Sequence, residues 1–366
     1  MSILFPVLYA LEAILTSESY RISWKVLWLG FVIFTFRKSI SWRAGGNVIL
    51  TLMILRSLWF FVNAGALSGD VLEFRLGVKY LLMPLCFVAI PLMSSRRWQR
   101  SILLLLGLQL LWVFNLAGSG TNQFDLGALG NSFVGSFGVP HLASISLAFV
   151  FVYLLYTRVR YKPLLLTFTV ILALWTWVRT GLLIIAVSLI FRYRKRLFQL
   201  RTILSVLALT ACAYGVYNSL PTDVQLSIYN RLFDINYSGD QIAGSGRLIF
   251  FQNSLEVWGK EDLYALFFGG GSQPLASKNL ADTGYSVYGH NEFLTMLSQN
   301  GLFGFTTIVM LTIVLFVHAT RRNNEFLLAV LCGWTALNFV QGGIWFIPEI
   351  LIATAYAQHS KRVQTT

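Results

Sequence analysis

The chain has 366 residues, of which 56% are hydrophobic and 12% are charged, whereas about a quarter of the residues in a soluble domain are charged. The formal net charge of +13 comes from short clusters of Lys and Arg between apolar runs. This distribution argues against a nucleic-acid-binding surface, which would be one continuous basic face. We therefore predict a membrane protein in which residues 1–366 form a single membrane domain.

Apolar runs recur from the beginning of the chain to its end. Because a helix needs ~20 apolar residues to cross a bilayer, we predict about twelve transmembrane helices. In chain order, the predicted spans are residues 3–17, 26–36, 48–66, 77–94, 101–118, 142–157, 163–178, 180–191, 202–219, 292–318, 325–341 and 343–357. Backbone groups in lipid must be hydrogen-bonded internally, and no run alternates like a barrel strand, so the predicted fold class is an all-α polytopic helical bundle.

Basic residues predict how the bundle is oriented. Clusters of Lys and Arg follow the even-numbered spans, and the other connections carry fewer basic residues for their length, which is the positive-inside pattern. The clusters contain Arg37, Lys38, Arg43, Arg96, Arg97, Arg100, Arg158, Arg160, Lys162, Arg192, Arg194, Lys195, Arg196, Arg201, Arg321, Arg322, Lys361 and Arg362. We expect both termini to lie in the cytoplasm.

Two connections on the opposite side are long. Residues 119–141 contain no Lys or Arg, and residues 220–291 form the longest polar stretch of the chain. Loops beyond ~15 residues are usually functional or disordered. The aromatic and Leu content of 220–291 indicates an ordered, partly helical cap on the bundle. We expect this second loop to carry part of an active site.

Ser245, Gly246 and Arg247 precede an amphipathic stretch in the second loop. Free N–H groups at a helix N-terminus, together with a guanidinium group, suit a pyrophosphate. A helix cap with Arg247 paired to an acid such as Asp240 explains the same residues.

Glycine and histidine residues mark the remainder of this loop. Gly270 is the centre of three consecutive glycines, which allow close approach to a ligand or another helix, although a plain turn fits them equally well. His290 and Asn291 stand where the loop returns to the membrane. Imidazole titrates near neutral pH and could take a proton from a sugar hydroxyl; a helix-capping pair is the alternative. We also place His141 outside the membrane.

Several basic residues lie in or near the outer ends of predicted spans. Arg179 occupies the short turn between the seventh and eighth spans, on the side that the positive-inside rule disfavours, so it needs an acidic partner or an anionic ligand. Lys79 and Arg75 raise the same question, although snorkelling explains them. Arg56 lies inside the third span without an obvious partner. Together these residues indicate an anionic, membrane-embedded substrate.

The order of these motifs resembles the superfamily of O-antigen polymerases and O-antigen ligases. The likeness covers residues from about 130 to 305 and includes short, degenerate motifs. They contain Gly135-Ser136-Phe137-Gly138-Val139-Pro140-His141, Val178-Arg179-Thr180-Gly181, Ser245-Gly246-Arg247, Trp258, Gly269-Gly270-Gly271, His290-Asn291 and Gly301-Leu302-Phe303-Gly304. The chain departs from the family pattern at Val178, where Ser is usual, and at His141, where Asn is common. The first loop also lacks an Arg that often precedes its glycine, which puts a phosphate-binding role for that loop in doubt.

The resemblance implies a GT-C-like transferase that needs neither a cofactor nor a metal ion. Its donor would be an undecaprenyl-pyrophosphate-linked glycan at the periplasmic face of a bacterial inner membrane. Arg179 and Arg247 would be catalytic residues that hold the pyrophosphate, and His290 would position or deprotonate the acceptor hydroxyl. We expect Lys79, Asn291, Ser245, Gly246, Gly270 and His141 to contribute to substrate binding.

Three functions fit this pattern. A polymerase would use a second lipid-linked repeat unit as acceptor and could act with a chain-length regulator, and a ligase would use the lipid A core. The short chain and the unusual first loop favour the polymerase. A non-enzymatic transporter or flippase should have charged residues in the middle of several spans. Arg56 and Glu349 stand nearly alone in this respect.

Overall fold

The computed structural model describes residues 29–30, 33, 44–61, 82–89, 95–116, 121–122, 132–137, 139–194, 196, 199, 208, 211–212, 214–233, 247–283, 291–340 and 346–362. Of the described residues, 86% are helical, which confirms the all-α class. The helices are α1 (Ala44–Phe61), α2 (Leu82–Ala89), α3 (Ser95–Leu108), α4 (Leu110–Val113), α5 (Pro140–Tyr156), α6 (Lys162–Trp175), α7 (Arg179–Tyr193), α8 (Thr222–Phe233), α9 (Arg247–Lys260), α10 (Leu263–Phe268), α11 (Gln273–Thr283), α12 (Glu292–Arg321), α13 (Glu325–Val340) and α14 (Phe346–Arg362). A short antiparallel pair, β1 (Thr121–Asn122) and β2 (Ser132–Phe133), belongs to the first long connection.

Among the described residues, one helix is long and apolar enough to cross a bilayer. This helix is α12, and shorter apolar helices lie within α1, α3–α4, α5, α6, α13 and α14. The predicted span at 3–17 falls outside the described residues, as do most of 26–36 and half of 202–219. The number of membrane crossings therefore stays a prediction.

The prediction at 101–118 differs from the structure. Helix α3 already begins at Ser95, so it includes the basic cluster that was expected to lie in a connection. The side-chain amide of Gln109 interrupts the helical run between α3 and α4, where it donates to the Leu105 carbonyl at 2.9 Å and to Ser136 Oγ at 2.7 Å. This bond joins the end of the α3–α4 segment to the Gly135–Phe137 turn that precedes α5.

Helices α5, α6, α7 and α13 form the centre of the bundle. At one end, Ser144 Oγ of α5 donates to the carbonyl of Val178, the residue before α7, at 3.1 Å. At the other end, Arg192 in the last turn of α7 and Arg194, the residue after this helix, contact Glu325, the first residue of α13. Helices α5 and α7 therefore begin side by side, and α13 runs antiparallel to α7.

Helices α12 and α14 point in the same direction as α5 and α7. The ring of His318, near the end of α12, stacks on that of Tyr356 in α14 at 4.6 Å. Asn324 Nδ2, just before α13, donates to the Ala355 carbonyl of α14 at 2.9 Å. We call the end at which α5, α7, α12 and α14 begin the loop end. The opposite end carries Arg158, Arg160, Lys162, Arg192, Arg194, Arg196, Arg321 and Arg322, and we call it the basic end.

The described parts of the long second loop, residues 220–233 and 247–283, are largely helical, as its composition predicts. Helices α9 and α10 lie against α12, and α11 lies against α9. Asp262 begins α10 by accepting a hydrogen bond from the Ala265 N–H at 2.7 Å, which satisfies one of the free donors of the first helical turn. Helices α9 and α10 therefore rest on the loop end of the bundle, and α11 rests on α9.

Candidate functional site

A buried ion pair joins α1 to the start of α12. Arg56 Nη2 lies 3.1 Å from Glu292 Oε1, and the two side chains are 4% and 3% exposed. Arg56 Nη1 also lies 3.7 Å from the sulfur of Met83 in α2. The expectation that Arg56 lacks a partner is wrong, because its partner is 236 positions away in sequence.

A second carboxylate faces this pair. Glu349, in the first turn of α14, is 1% exposed and interacts electrostatically with both Arg56 and Glu292. Its Oε2 atom accepts no hydrogen bond from the described part of the chain. Arg56 and Glu349, the two charged residues that sequence analysis places inside predicted spans, thus belong to one cluster with Glu292, formed by α1, α12 and α14. A buried carboxylate oxygen without a hydrogen bond is costly, which makes this cluster a candidate functional site.

The first part of α12 is polar although it is buried. Asn291 caps the helix by accepting a hydrogen bond from the Leu294 N–H at 3.1 Å. Buried polar side chains follow at Thr295, Ser298, Gln299 and Asn300. Gln299 Nε2 and Asn300 Oδ1 have no hydrogen-bond partner among the described residues. Buried polar atoms are normally satisfied, so within the described part of the chain this stretch offers one donor and one acceptor to a further partner.

Helix α12 is broken at Gly301, and the glycine turn of the loop occupies the break. Gly301 has φ 64° and ψ −168°, a conformation that is essentially restricted to glycine. The Gly271 N–H donates to the Gln299 carbonyl at 3.1 Å, and a Cβ on Gly301 would lie only 2.5 Å from the backbone of Phe267. The glycines thus allow two backbones to approach closely, as the sequence motif suggests.

Aromatic rings surround this contact. Trp59 of α1 lies 5.5 Å from the ring of Phe268 in α10 and 4.9 Å from that of Phe303 in α12. Trp258 Nε1 of α9 donates to the Leu266 carbonyl at 3.1 Å. The glycine turn is therefore held between the bundle and the loop helices.

The outer surface of the loop carries a charged network across α9 and α11. Glu256 accepts a hydrogen bond from Lys260 and lies 3.5 Å from Lys278, which in turn lies 3.1 Å from Asp282. The hydrogen bond and charge of Lys260 lower the pKa of Glu256 below its ordinary value. The hydrogen bond to Asp282 raises the pKa of Lys278. Next to the glycine turn, partial burial and then the nearby Asp262 raise the pKa of Glu261.

The predicted site residues that are described all belong to the loop end or to the loop. Arg179 is the first residue of α7 and is partly exposed, and His141 is the second residue of α5 and is exposed. Because the Ser144–Val178 hydrogen bond joins the starts of these helices, the two residues lie on neighbouring turns. Asn291 is 5% exposed and caps α12, and Gly270 lies in the exposed part of the glycine turn.

Other predicted residues fall outside this description. Arg247 begins α9, but its side chain is outside the described residues, as are Lys79, Ser245, Gly246 and His290 in full. His290 directly precedes Asn291, and Ser245 and Gly246 directly precede α9.

Glu292 and Glu349 are the functional candidates that sequence reasoning missed. The signal for Glu292 was present, because an acid directly follows His290-Asn291 and leads into an apolar run that should exclude charge. Pairing Glu292 with Arg56 requires the packing of α1 on α12, which spacing along the chain does not reveal. No protein-family model matches this sequence, and no curated protein matches it significantly.

Proposed function

We propose that the protein is an O-antigen polymerase of about twelve transmembrane spans, with its loop end at the periplasmic face of a bacterial inner membrane. It would join undecaprenyl-pyrophosphate-linked repeat units by inverting glycosyl transfer. The observation that carries the proposal is the seating of the loop's glycine turn on the Gly301 break of α12. The loop helix that begins at Arg247 packs on the same helix, α12, that begins two residues after His290.

The distribution of charge supports this orientation. Eight described basic residues gather at the basic end, and the positive-inside rule assigns such an end to the cytoplasm. The loop end would then face the periplasm, where the lipid-linked donor is presented. Both termini would be cytoplasmic.

Ion pairing indicates which arginines are available to bind the pyrophosphate. Arg56 is engaged by Glu292 inside the bundle, so its charge is offset and it is a poor candidate for holding a pyrophosphate. Arg179 and Arg247 each stand at the first position of a helix, where backbone N–H groups and the helix dipole favour an anion. These two residues would offset the charge that develops on the leaving pyrophosphate, a role that a metal ion performs elsewhere.

The proposed reaction is a single displacement at the anomeric carbon of the donor. The acceptor hydroxyl oxygen attacks the anomeric carbon, the bond from that carbon to the pyrophosphate oxygen breaks, and the configuration inverts. His290 would take or position the hydroxyl proton. Lys79, Ser245, Gly246, Gly270, Asn291 and His141 remain proposed contributors to substrate binding, and Asn291 would act through its cap on α12.

Ligation of the same donor to the lipid A core is the alternative enzymatic function. A transport function is favoured by one observation, since a broken helix beside buried charged residues is typical of transporters. In this chain the broken helix is α12, and the charged residues are Arg56, Glu292 and Glu349. The break is filled by the glycine turn of the loop, however, which supports a packed junction and not a passage.

Loss of the gene separates these functions. A polymerase deletion leaves one repeat unit on the lipopolysaccharide core, whereas a ligase deletion leaves bare core and accumulated lipid-linked polymer. Purified protein in liposomes should lengthen lipid-linked repeat units without any other protein. A transporter would produce no longer glycan in this assay.

Substitutions test the site itself. His290→Ala and Arg247→Ala should abolish chain elongation while the protein remains in the membrane. Lys260→Ala, at the exposed other end of α9, is the matched control and should leave the lipopolysaccharide ladder unchanged. An unchanged ladder in either site variant at normal protein level would show that the site assignment is wrong.

A further inference from the structure

A cavity at the basic end takes no part in the proposed reaction. It has a volume of about 250 Å³, and its lining includes Lys162, Arg192, Tyr193, Arg194, Arg196 and Glu325. The cavity lies where the end of α7 meets the start of α13, at the opposite end of the bundle from the glycine turn. It is smaller than the ~300–1,000 Å³ of pockets for drug-sized ligands, so it suits a small group and not a glycan.

The cationic side chains of this cavity are held in place. Arg192 Nη1 and Arg194 Nη2 each lie 3.2 Å from a different oxygen of Glu325. The Arg192 guanidinium lies 4.9 Å from the centre of the Tyr156 ring, and that ring stacks on Phe326. One carboxylate thus orients two guanidinium groups, which lowers the entropy lost when they bind a ligand.

Lys162 is fixed in a similar way. Its ammonium group donates to the Leu155 carbonyl at 2.7 Å and to the Thr157 carbonyl at 3.2 Å. These carbonyls belong to the end of α5 and the turn after it, so Lys162 is anchored to the backbone and not to an acid. Within the described lining, four cationic side chains therefore face a single carboxylate. The excess of positive charge calls for an anion.

Exposed apolar side chains lie next to the cavity on the outer surface of the bundle. Tyr193, in its lining, is 43% exposed, and Ile190, one turn earlier on α7, is 55% exposed. In a membrane, such exposed apolar side chains contact acyl chains. Basic pockets between helices at the cytoplasmic surface are where lipid phosphate groups bind, and planar guanidinium groups match phosphate oxygens.

We propose that this cavity binds the phosphate headgroup of an anionic membrane lipid at the basic end of the bundle. The phosphate contacts Arg192, Arg194 and Arg196, and the acyl chains lie along Ile190 and Tyr193. Free phosphate would bind the same guanidinium groups, but it would not contact these apolar side chains. The site is independent of the glycan-transfer site, and its test needs no glycan substrate.

The test compares lipids on purified full-length protein. Protein in neutral detergent is mixed with cardiolipin, phosphatidylglycerol or phosphatidylcholine, and bound lipid is counted by native mass spectrometry. Arg192→Gln/Arg194→Gln should lower the affinity for the two anionic lipids at least about tenfold, because each cation near a lipid surface contributes on the order of 1 kcal/mol. Binding of phosphatidylcholine should not change.

The double variant Arg321→Gln/Arg322→Gln is the matched control. It removes the same charge from exposed positions at the same end of the bundle, outside the lining of the cavity. Its affinity for anionic lipid should stay within about twofold of the unaltered protein. An equal loss in both double variants would show diffuse surface attraction and overturn the proposal.

Adding inorganic phosphate shows whether the bound anion is a lipid headgroup or free phosphate. If phosphate at millimolar concentration protects the protein from heat and anionic lipids do not, the ligand is free phosphate and the lipid proposal is overturned. Should the double variant fail to fold, Arg196→Gln serves instead. Arg196 is exposed and takes no part in the two ion pairs with Glu325, so a folded Arg196→Gln protein with unchanged lipid affinity would also contradict the proposal.

Discussion

Arg56 and Glu292 form an ion pair between α1 and α12, with Nη2 and Oε1 3.1 Å apart and both side chains almost fully buried. A buried pair of this kind contributes little net stability compared with apolar residues of the same size. Loss of one partner is different, because it leaves the other charge buried without compensation. Because Glu349 lies beside the pair, the loss of Arg56 and the loss of Glu292 should reduce stability by different amounts.

We expect Arg56→Met to destabilise the protein more than Glu292→Gln. Removing the guanidinium leaves Glu292 and Glu349 facing each other, whereas removing the charge of Glu292 leaves Glu349 available to Arg56. The loss for Arg56→Met should be about 3–5 kcal/mol. Thermal unfolding of the detergent-solubilised variants, monitored by size-exclusion chromatography, shows which variant is less stable.

The triple variant Arg56→Met/Glu292→Gln/Glu349→Gln serves as the control for this prediction. Without any buried charge it should recover much of the stability that Arg56→Met loses. A larger loss for Glu292→Gln than for Arg56→Met would mean that Glu349 does not interact with Arg56 as the structure indicates.

The glycine turn predicts a second stability difference. Gly301→Ala and Gly269→Ala should each cost at least about 1–3 kcal/mol, because a side chain is strained at positive φ and would meet the facing backbone. Gly270→Ala is the matched control, since its Cβ would meet only the carboxylate end of Glu261 at 2.5 Å, which can move aside. Similar melting temperatures for all three variants would contradict the close backbone contact.

A third prediction concerns the contact between α5 and α7. A Cβ on Gly181 would lie 2.6 Å from the Ser144 carbonyl oxygen, so Gly181→Ala should separate the two helix starts and displace Arg179. We expect a lower melting temperature and, if Arg179 is catalytic, reduced glycan transfer. Gly107→Ala has open space around it and should change neither quantity; an equally mild Gly181→Ala would show that α5 and α7 are loosely packed.

The charged network on the loop predicts how its packing depends on pH. The folded pKa of Glu256 is lowered, so its contribution is present above the unfolded carboxyl pKa of about 4.3 and disappears as the pH falls through the folded value. The folded pKa of Lys278 is raised, so its contribution is present below the unfolded pKa of about 10.4 and disappears as the pH rises through the folded value.

The contact between α9 and α11 should therefore be constant between about pH 5 and pH 10 and loosen below about pH 4. Hydrogen exchange of α11 peptides from an acid series measures this change. Glu256→Gln should remove most of the acid response, and an unchanged response in this variant would assign the effect to other carboxyl groups.

The sequence predicts the helices of the bundle better than their contacts. Apolar runs at 142–157, 163–178, 180–191 and 325–341 match α5, α6, α7 and α13 within a few residues, because spans and short turns are local features. The start of α3 at Ser95 was missed, since basic residues at a helix end look the same as basic residues in a loop.

The candidate site was predicted only in part, because the sequence does not show which helices become neighbours. The glycine motif correctly suggested a close backbone approach, and Asn291 was recognised as a possible helix cap. The pairing of Arg56 with Glu292 could not be read from the chain, because a contact across 236 positions depends on which helices become neighbours. Hydrophobic periodicity specifies that a face is buried but not what covers it.

The bond between Gly271 and Gln299 also changes how the long loop can move. A loop attached only at its two ends could swing away as one lid, but this one is also bound at Gly271 to the break in α12, and α9 packs on the same helix. Helices α9 and α10 and the glycine turn therefore stay on α12 and cannot lift away together without breaking these contacts. If the protein transfers glycans as proposed, a substrate would have to enter beside this fixed part of the loop and not by lifting it.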